Sequence, residues 1–293
     1  MGFDLKQKEY TFKTWQEFCL ILDELKEEHK KLYEKSIEGL EVPGKPWSIL
    51  YRGQSNKDWL LQSTLLRFTN SREYSAHEYF HLIFLIKHEI ETFMNQSWEI
   101  SNEWFFEELK ARAHKKEYFL FDEAEEFYRY LIYLRQFGFP SPLLDWSKSP
   151  YIAAYFAFRE KPEKPPDYVS VFAYLETAGD MKYFSGDGPY FTSLGEFYRN
   201  PQRHFLQNCQ YTMSIEVKED SYFFISHEEV FNSTPRTDDY NPDQDLLWKF
   251  NIPYSEREMV LKYFDQFNLN AYSLFQTGEG LMETMADRIF FFK

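Results

Sequence analysis

A carboxylate and an indole stand side by side at Asp145-Trp146, after a turn built from Gly138, Pro140 and Pro142 and before a helix start at Ser149-Pro150. A carboxylate at such a place either caps backbone N–H groups or faces a ligand as an orienting or acid–base group beside a stacking ring. Upstream, Tyr51-Arg52-Gly53-Gln54 closes a strand-like run. Its arginine offers a planar fork for phosphate or carboxylate, and Gly53 leaves room for a ligand to approach the backbone. The plainer alternative is a buried ion pair, with Asp145 the obvious partner for Arg52. Arg203 and Gln207 are four apart, so a helix would put them on one face and leave His204 off it. That face suits a diphosphate or an amide, or only a surface ion pair. Tyr211 follows as a ring able to stack. Glu279 and Glu283 open the last helical stretch, where the helix dipole alone would account for Glu279.

Other chemistries are poorly supplied. His77 and His81 are four apart with His88 seven further on, a spacing that could hold zinc but also marks a solvated helix face; no metal is expected. Asp238, Asp239, Asp243 and Asp245 form the densest acidic group, yet Pro235 and Pro242 read as an exposed loop rather than a Mg²⁺ site. The phosphate-cradling and hydrolase motifs GxxxxGK[ST], GxGxxG and GxSxG are missing. With 33 basic against 47 acidic residues, a net charge of −14, a broad nucleic-acid face is disfavoured, while a local basic cleft stays open. Aromatics make up 20%, with 31 Phe and 22 Tyr, most of them core material and the remainder able to line a groove. Cys19 and Cys209 fit a reducing cytosol, and no apolar run approaches the eighteen or so residues of a membrane span. The N-terminus has no signal-like apolar region, so a soluble cytoplasmic protein is expected.

The elements that must hold these groups follow from capping and periodicity. Thr14 with Glu17 is a capping box opening an amphipathic helix through Trp15, Phe18, Leu22 and Leu25 that ends near Gly39. Pro43 to Pro46 reads as a turn and Trp47 to Tyr51 as a strand, while Leu60 to Leu66 is ambiguous. Ser75 with Glu78 opens a long helix through Phe93, followed by helices at about 102–114 and 122–136. The apolar run from Tyr151 to Phe158 predicts a buried helix. Residues 168–174, 211–217 and 246–252 alternate as strands, 177–189 and 232–245 read as loops, and helices cover 256–267 and 279–292. The fold class is α+β, with a helix-rich N-terminal half and a mixed or antiparallel sheet built mainly from the C-terminal half. Residues 1–44 form an N-terminal helical extension, and 45–293 the main domain with a helical insert at about 75–136.

Tyr51-Arg52-Gly53-Gln54 and Leu143-Leu144-Asp145-Trp146, with Arg203…Gln207…Tyr211-Thr212 and Ser273-Leu274-Phe275…Glu279…Leu281-Met282-Glu283-Thr284, resemble in order the motifs of the FRG domain family, named for its Phe/Tyr-Arg-Gly. Many members carry Gln-His-x-Gly where this chain has Arg135-Gln136-Phe137-Gly138, so a role for that histidine does not carry over. Many also read Glu-Glu where this chain has Gly278-Glu279. The family resemblance implies a bacterial defence or toxin-like setting without a settled reaction. Arg52 is also similar to the strand-borne arginine of ADP-ribosyltransferases, which would make the fold ADP-ribosyltransferase-like. That likeness casts NAD as substrate: Arg52 and Arg203 on the diphosphate, Gly53 beneath it, Gln54 and Gln207 on amide or ribose, Trp146 or Tyr211 stacking, Asp145 as acid–base group, and Glu279 steadying the oxocarbenium-like cation. Transfer or glycohydrolysis by a toxin or phage-defence effector, with a neutralising antitoxin or defence partner, is the first expectation. A non-catalytic nucleotide-sensing or protein-interaction module is the second, and a nucleic-acid-directed effector the third.

Overall fold

The computed structural model describes residues 2–5, 7–38, 48–119, 124–177, 188–194, 202–233 and 244–292. Strand β1 (Glu9–Thr11) leads into helix α1 (Trp15–Ser36), whose N-cap Thr14 accepts from the Glu17 amide. The Glu17 carboxylate answers to the Lys13 amide, one residue before the expected position. Strand β2 (Leu50–Gln54) carries the Arg-Gly pair, followed by the short α2 (Thr64–Phe68) and β3 (Tyr74–Ser75). The first helix ends at Ser36, short of Gly39, which together with the turn expected at 43–46 lies outside the described residues.

The long helix expected after Ser75 is two helices, α3 (Ala76–Leu85) and α4 (Lys87–Met94), broken at Ile86 with φ −96° and ψ −1°. Helix α3 buries Tyr79, Phe80, Ile83 and Phe84, while α4 buries no residue fully and meets the core through the partly buried Ile90. Then come α5 (Asn102–His114) and α6 (Glu125–Gln136). Helix α6 ends in a Schellman motif: Gly138, at φ 87°, donates to the Arg135 carbonyl and Phe139 donates to that of Leu134. Only a residue at home in the left-handed region closes this turn without strain, and it delivers the chain to β4 (Leu144–Ser147). Helix α7 (Pro150–Arg159) starts as its sequence predicts, with Ser149 capping the Ile152 amide and Pro150 as first helical residue.

The C-terminal half supplies β5 (Tyr168–Thr177), β6 (Tyr190–Leu194), α8 (Gln202–Leu206), β7 (Cys209–Lys218), β8 (Ser221–Phe224), α9 (His227–Ser233) and β9 (Gln244–Pro253). It closes with α10 (Arg257–Gln266), α11 (Ala271–Phe275) and α12 (Gly278–Ala286). Among the described residues the strands form one sheet in the order β1-β9-β5-β2-β4-β7-β8-β3, with β6 on the other side of β7. Every pairing is antiparallel except β1 with β9, so the expected α+β architecture with a mixed sheet is what the chain adopts.

Side-chain alternation along β5 divides the apolar interior. Val169, Val171, Ala173 and Leu175 join Trp15, Phe18 and Leu22 of α1, with α7, α10 and β9, in one core. Phe172 and Tyr174, on the other face, meet Leu50, Leu144 and Trp146. A third core packs α3, α5 and α6 on β6, β7 and β8. Strand β1 and helix α1 thus belong to the same sheet and core as the Arg-Gly strand.

Candidate functional site

The central strands β2 and β4 form the floor of a cleft of about 330 Å³, walled by α2, the end of α6, α7, α8 and α11. Five arginines line it, Arg52, Arg67, Arg135, Arg159 and Arg203, against two carboxylates, Asp145 and Glu160. In a chain of net charge −14 this is a pronounced local reversal of sign.

Its centre is Asp145. Arg52, on the neighbouring strand, donates from Nη1 to the Asp145 main-chain carbonyl at 2.7 Å and lies 3.6 Å from its carboxylate. Arg135, from the last turn of α6, takes the same carboxylate at 2.5 Å. Burial pulls the Arg52 guanidinium down to about 10; Asp145 opposes this, and the like charges of Arg135 and Arg67 add to it. Burial and the charge of Arg135 likewise lower Arg67, against the opposing charges of Asp145 and Glu160, neither of which is in ion-pair contact with it. Four buried polar atoms of cleft residues are without a hydrogen-bond partner: Arg52 Nε, Arg135 Nε, Gln54 Oε1 and Asp145 Oδ1. Two of them are donors and two acceptors, an unusual concentration for a native interior.

The opposite wall comes from the C-terminal segments. Arg203 donates to the Gln136 carbonyl at 3.0 Å, and its guanidinium lies 5.1 Å from the Phe275 ring centre. Arg159 lies 4.4 Å from the same ring and is held bidentately by Glu283 at 2.8 and 2.6 Å. Trp59, 46% exposed, is the cleft ring most open to a planar partner.

The expected site residues divide accordingly. Arg52, Gly53, Gln54, Asp145, Trp146, Arg203 and Gln207 line the cleft; Tyr211 and Glu279 do not. Gly53 serves the fold: a Cβ there would fall 1.9 Å from the Ala153 carbonyl oxygen, so what approaches the backbone closely is helix α7. The Trp146 indole is buried against Tyr174 and donates to Thr212, whose hydroxyl meets Nε2 of the buried His227, so it offers no free stacking face. Gln207 spans to the Leu274 carbonyl, tying α8 to α11. Tyr211 is fully buried and its hydroxyl receives Gln136 Nε2, which steadies the end of α6. Glu279 is exposed in the first turn of α12, where Thr277 caps Gly280; Glu283, one turn on, is the glutamate that reaches a cleft arginine. Arg67, Arg135 and Arg159 were not anticipated from the sequence. Each ends or nearly ends a helix, and Arg135 directly precedes the Gly138 turn, which is the one pattern that pointed to it.

No group of three or more His, Cys, Asp or Glu among the described residues is placed to hold a metal ion. His77 and His81 both pack near Phe106. Asp238, Asp239 and Asp243 lie outside the described residues, and Asp245 accepts from the Tyr174 hydroxyl. Among the described residues no helix is long and apolar enough to cross a membrane.

Compared with known proteins, residues 48–165 match the family model described as FRG domain, a span that runs from β2 through α7. No curated protein and no solved structure matches the chain.

Proposed function

We propose that this chain, whose residues 48–165 match the FRG domain, uses its arginine-lined cleft to recognise a phosphate-bearing nucleotide. The observation that carries the reading is the set of partnerless atoms around Asp145. Phosphate oxygens would answer the two arginine donors, but only a ligand that also brings hydroxyl or amide hydrogens answers Gln54 Oε1 and Asp145 Oδ1. A nucleotide, with ribose hydroxyls beside its phosphates, brings both. Arg52, Arg67 and Arg135 would take phosphate, Gln54 and Asp145 the sugar, and Trp59 the base. In the defence or toxin-like setting that the resemblance implies, such a site would let nucleotide binding govern an effector or its partner protein.

Recognition is favoured over turnover because Glu279 stands outside the cleft. Cleavage of NAD at the nicotinamide ribose, by transfer or hydrolysis, would have to draw on Asp145, the carboxylate whose Oδ1 is without a partner. Isothermal titration of ADP and of NAD into wild type and Arg52→Ala, with released nicotinamide assayed in the NAD samples, tests both readings. Binding lost in the variant is the expected result, and nicotinamide release that depends on Asp145 would move the assignment to an enzyme. No binding of either nucleotide to folded wild-type protein would overturn the proposal.

A further inference from the structure

The arginines fall into two groups that no ion pair bridges among the described residues. Arg52, Arg67 and Arg135 are mutually within electrostatic reach, and Arg52 and Arg135 are joined through their pairings with the one carboxylate of Asp145. Arg159 and Arg203 meet at Phe275, and among the described residues only Arg159 of the two is paired with a carboxylate, Glu283. Arg203 is directed by a carbonyl instead, that of Gln136, the residue next to Arg135, so the two groups adjoin. After each carboxylate is matched with its arginine, positive charge is left over in both groups, and Glu160 at the exposed rim offsets only part of it.

We infer that the cleft takes a nucleotide carrying at least two phosphate groups in tandem, one on the Arg52–Arg67–Arg135 group and the other on Arg203. This rests on the nucleotide reading above and narrows it. Phe275 and the Gln136 carbonyl fix the Arg203 guanidinium before any ligand arrives, which limits the entropy lost on binding. The acidic exterior of the chain repels phosphates elsewhere, so the cleft is selective by contrast.

The test is calorimetric titration of ADP, AMP, adenosine, pyrophosphate and phosphate into wild type, Arg203→Ala and Arg203→Lys, each variant first shown to be folded by circular dichroism. ADP is expected to bind at least about tenfold more tightly than AMP, the worth of one charge-assisted phosphate contact. Arg203→Ala should remove that advantage, and Arg203→Lys, which keeps the charge without the fork, should fall between. AMP binding as tightly as ADP, or Arg203→Ala weakening both alike, would overturn the tandem-phosphate inference and leave the nucleotide reading standing. Pyrophosphate binding as tightly as ADP, with phosphate weak, would retain the tandem arrangement and defeat the nucleotide reading. Absence of binding by every probe defeats both.

Discussion

A methyl group placed on Gly53 would sit 1.9 Å from the carbonyl oxygen of Ala153 and 2.6 Å from the amide nitrogen of Ala157. Helix α7 therefore lies directly on strand β2, backbone against backbone, and the glycine of the Arg-Gly motif is where they touch. The atoms in the way are main chain and cannot swing aside. Gly53→Ala should cost at least about 3 kcal/mol, the upper end of ordinary overpacking. Thermal or urea unfolding checks this, and a loss under about 1 kcal/mol would mean that α7 shifts freely.

Asp145 holds two arginines whose side chains are only 11% and 15% exposed. Asp145→Asn leaves both without a counter-charge. The expected loss is about 2 kcal/mol, below the roughly 3–5 kcal/mol of a fully buried broken pair because the site is partly open to water. The melting temperature should drop less in phosphate buffer than in chloride at equal ionic strength, since phosphate can stand in for the missing carboxylate. Equal drops in both salts would count against an anion site.

Two buried histidines give the protein an acid limb. Burial pushes His204 down to about 4 and, aided by the charge of Arg52, His227 down to about 3. Above pH 6.5 both are neutral whether folded or not, so neither affects stability. Below it the unfolded chain takes up protons that the folded chain refuses, so stability falls as pH drops from about 6.5 toward 4. Urea midpoints at pH 7.5 and 5.0 should differ clearly, and His227→Gln should shrink the difference.

Glu279 and Glu283 separate by their surroundings. Glu279→Ala should leave nucleotide affinity within about twofold, as expected of an exposed group away from the cleft. Glu283→Gln removes a bidentate grip on Arg159 and should lower stability by about 1 kcal/mol, a value discounted because both partners are about one-third exposed. Titration and chemical unfolding of the two variants side by side distinguish them, and loss of binding in Glu279→Ala alone would bring that residue back to the site.

Local chemistry made much of this legible. Ser149, Pro150 and the apolar run behind them announced α7, and a single carboxylate near a strand-borne arginine pointed to the pairing of Arg52 with Asp145. What escaped was set by distant contacts. A helix-ending arginine such as Arg67 or Arg159 reads as solvated surface until tertiary structure turns it inward. Gly53 was read as a place for a ligand because one sequence does not say whose backbone approaches it. The break at Ile86 carries neither proline nor glycine, and Trp146 looks like a platform until Thr212, 66 residues on, claims its N–H.

Strand β1 runs parallel to β9, with Tyr10 opposite Phe250, and α1 packs its apolar stripe into the core those strands share. During synthesis the first of these partners leaves the ribosome long before the second, by roughly 10–50 s at ordinary translation rates. For that time Trp15, Phe18 and Leu22 have no β9 to pack against, and β1 has no edge to join. The nascent chain thus carries an open apolar helix face and an unpaired strand until β9 has been made. Production of the protein should depend on chaperone supply more than the stability of the finished fold would indicate.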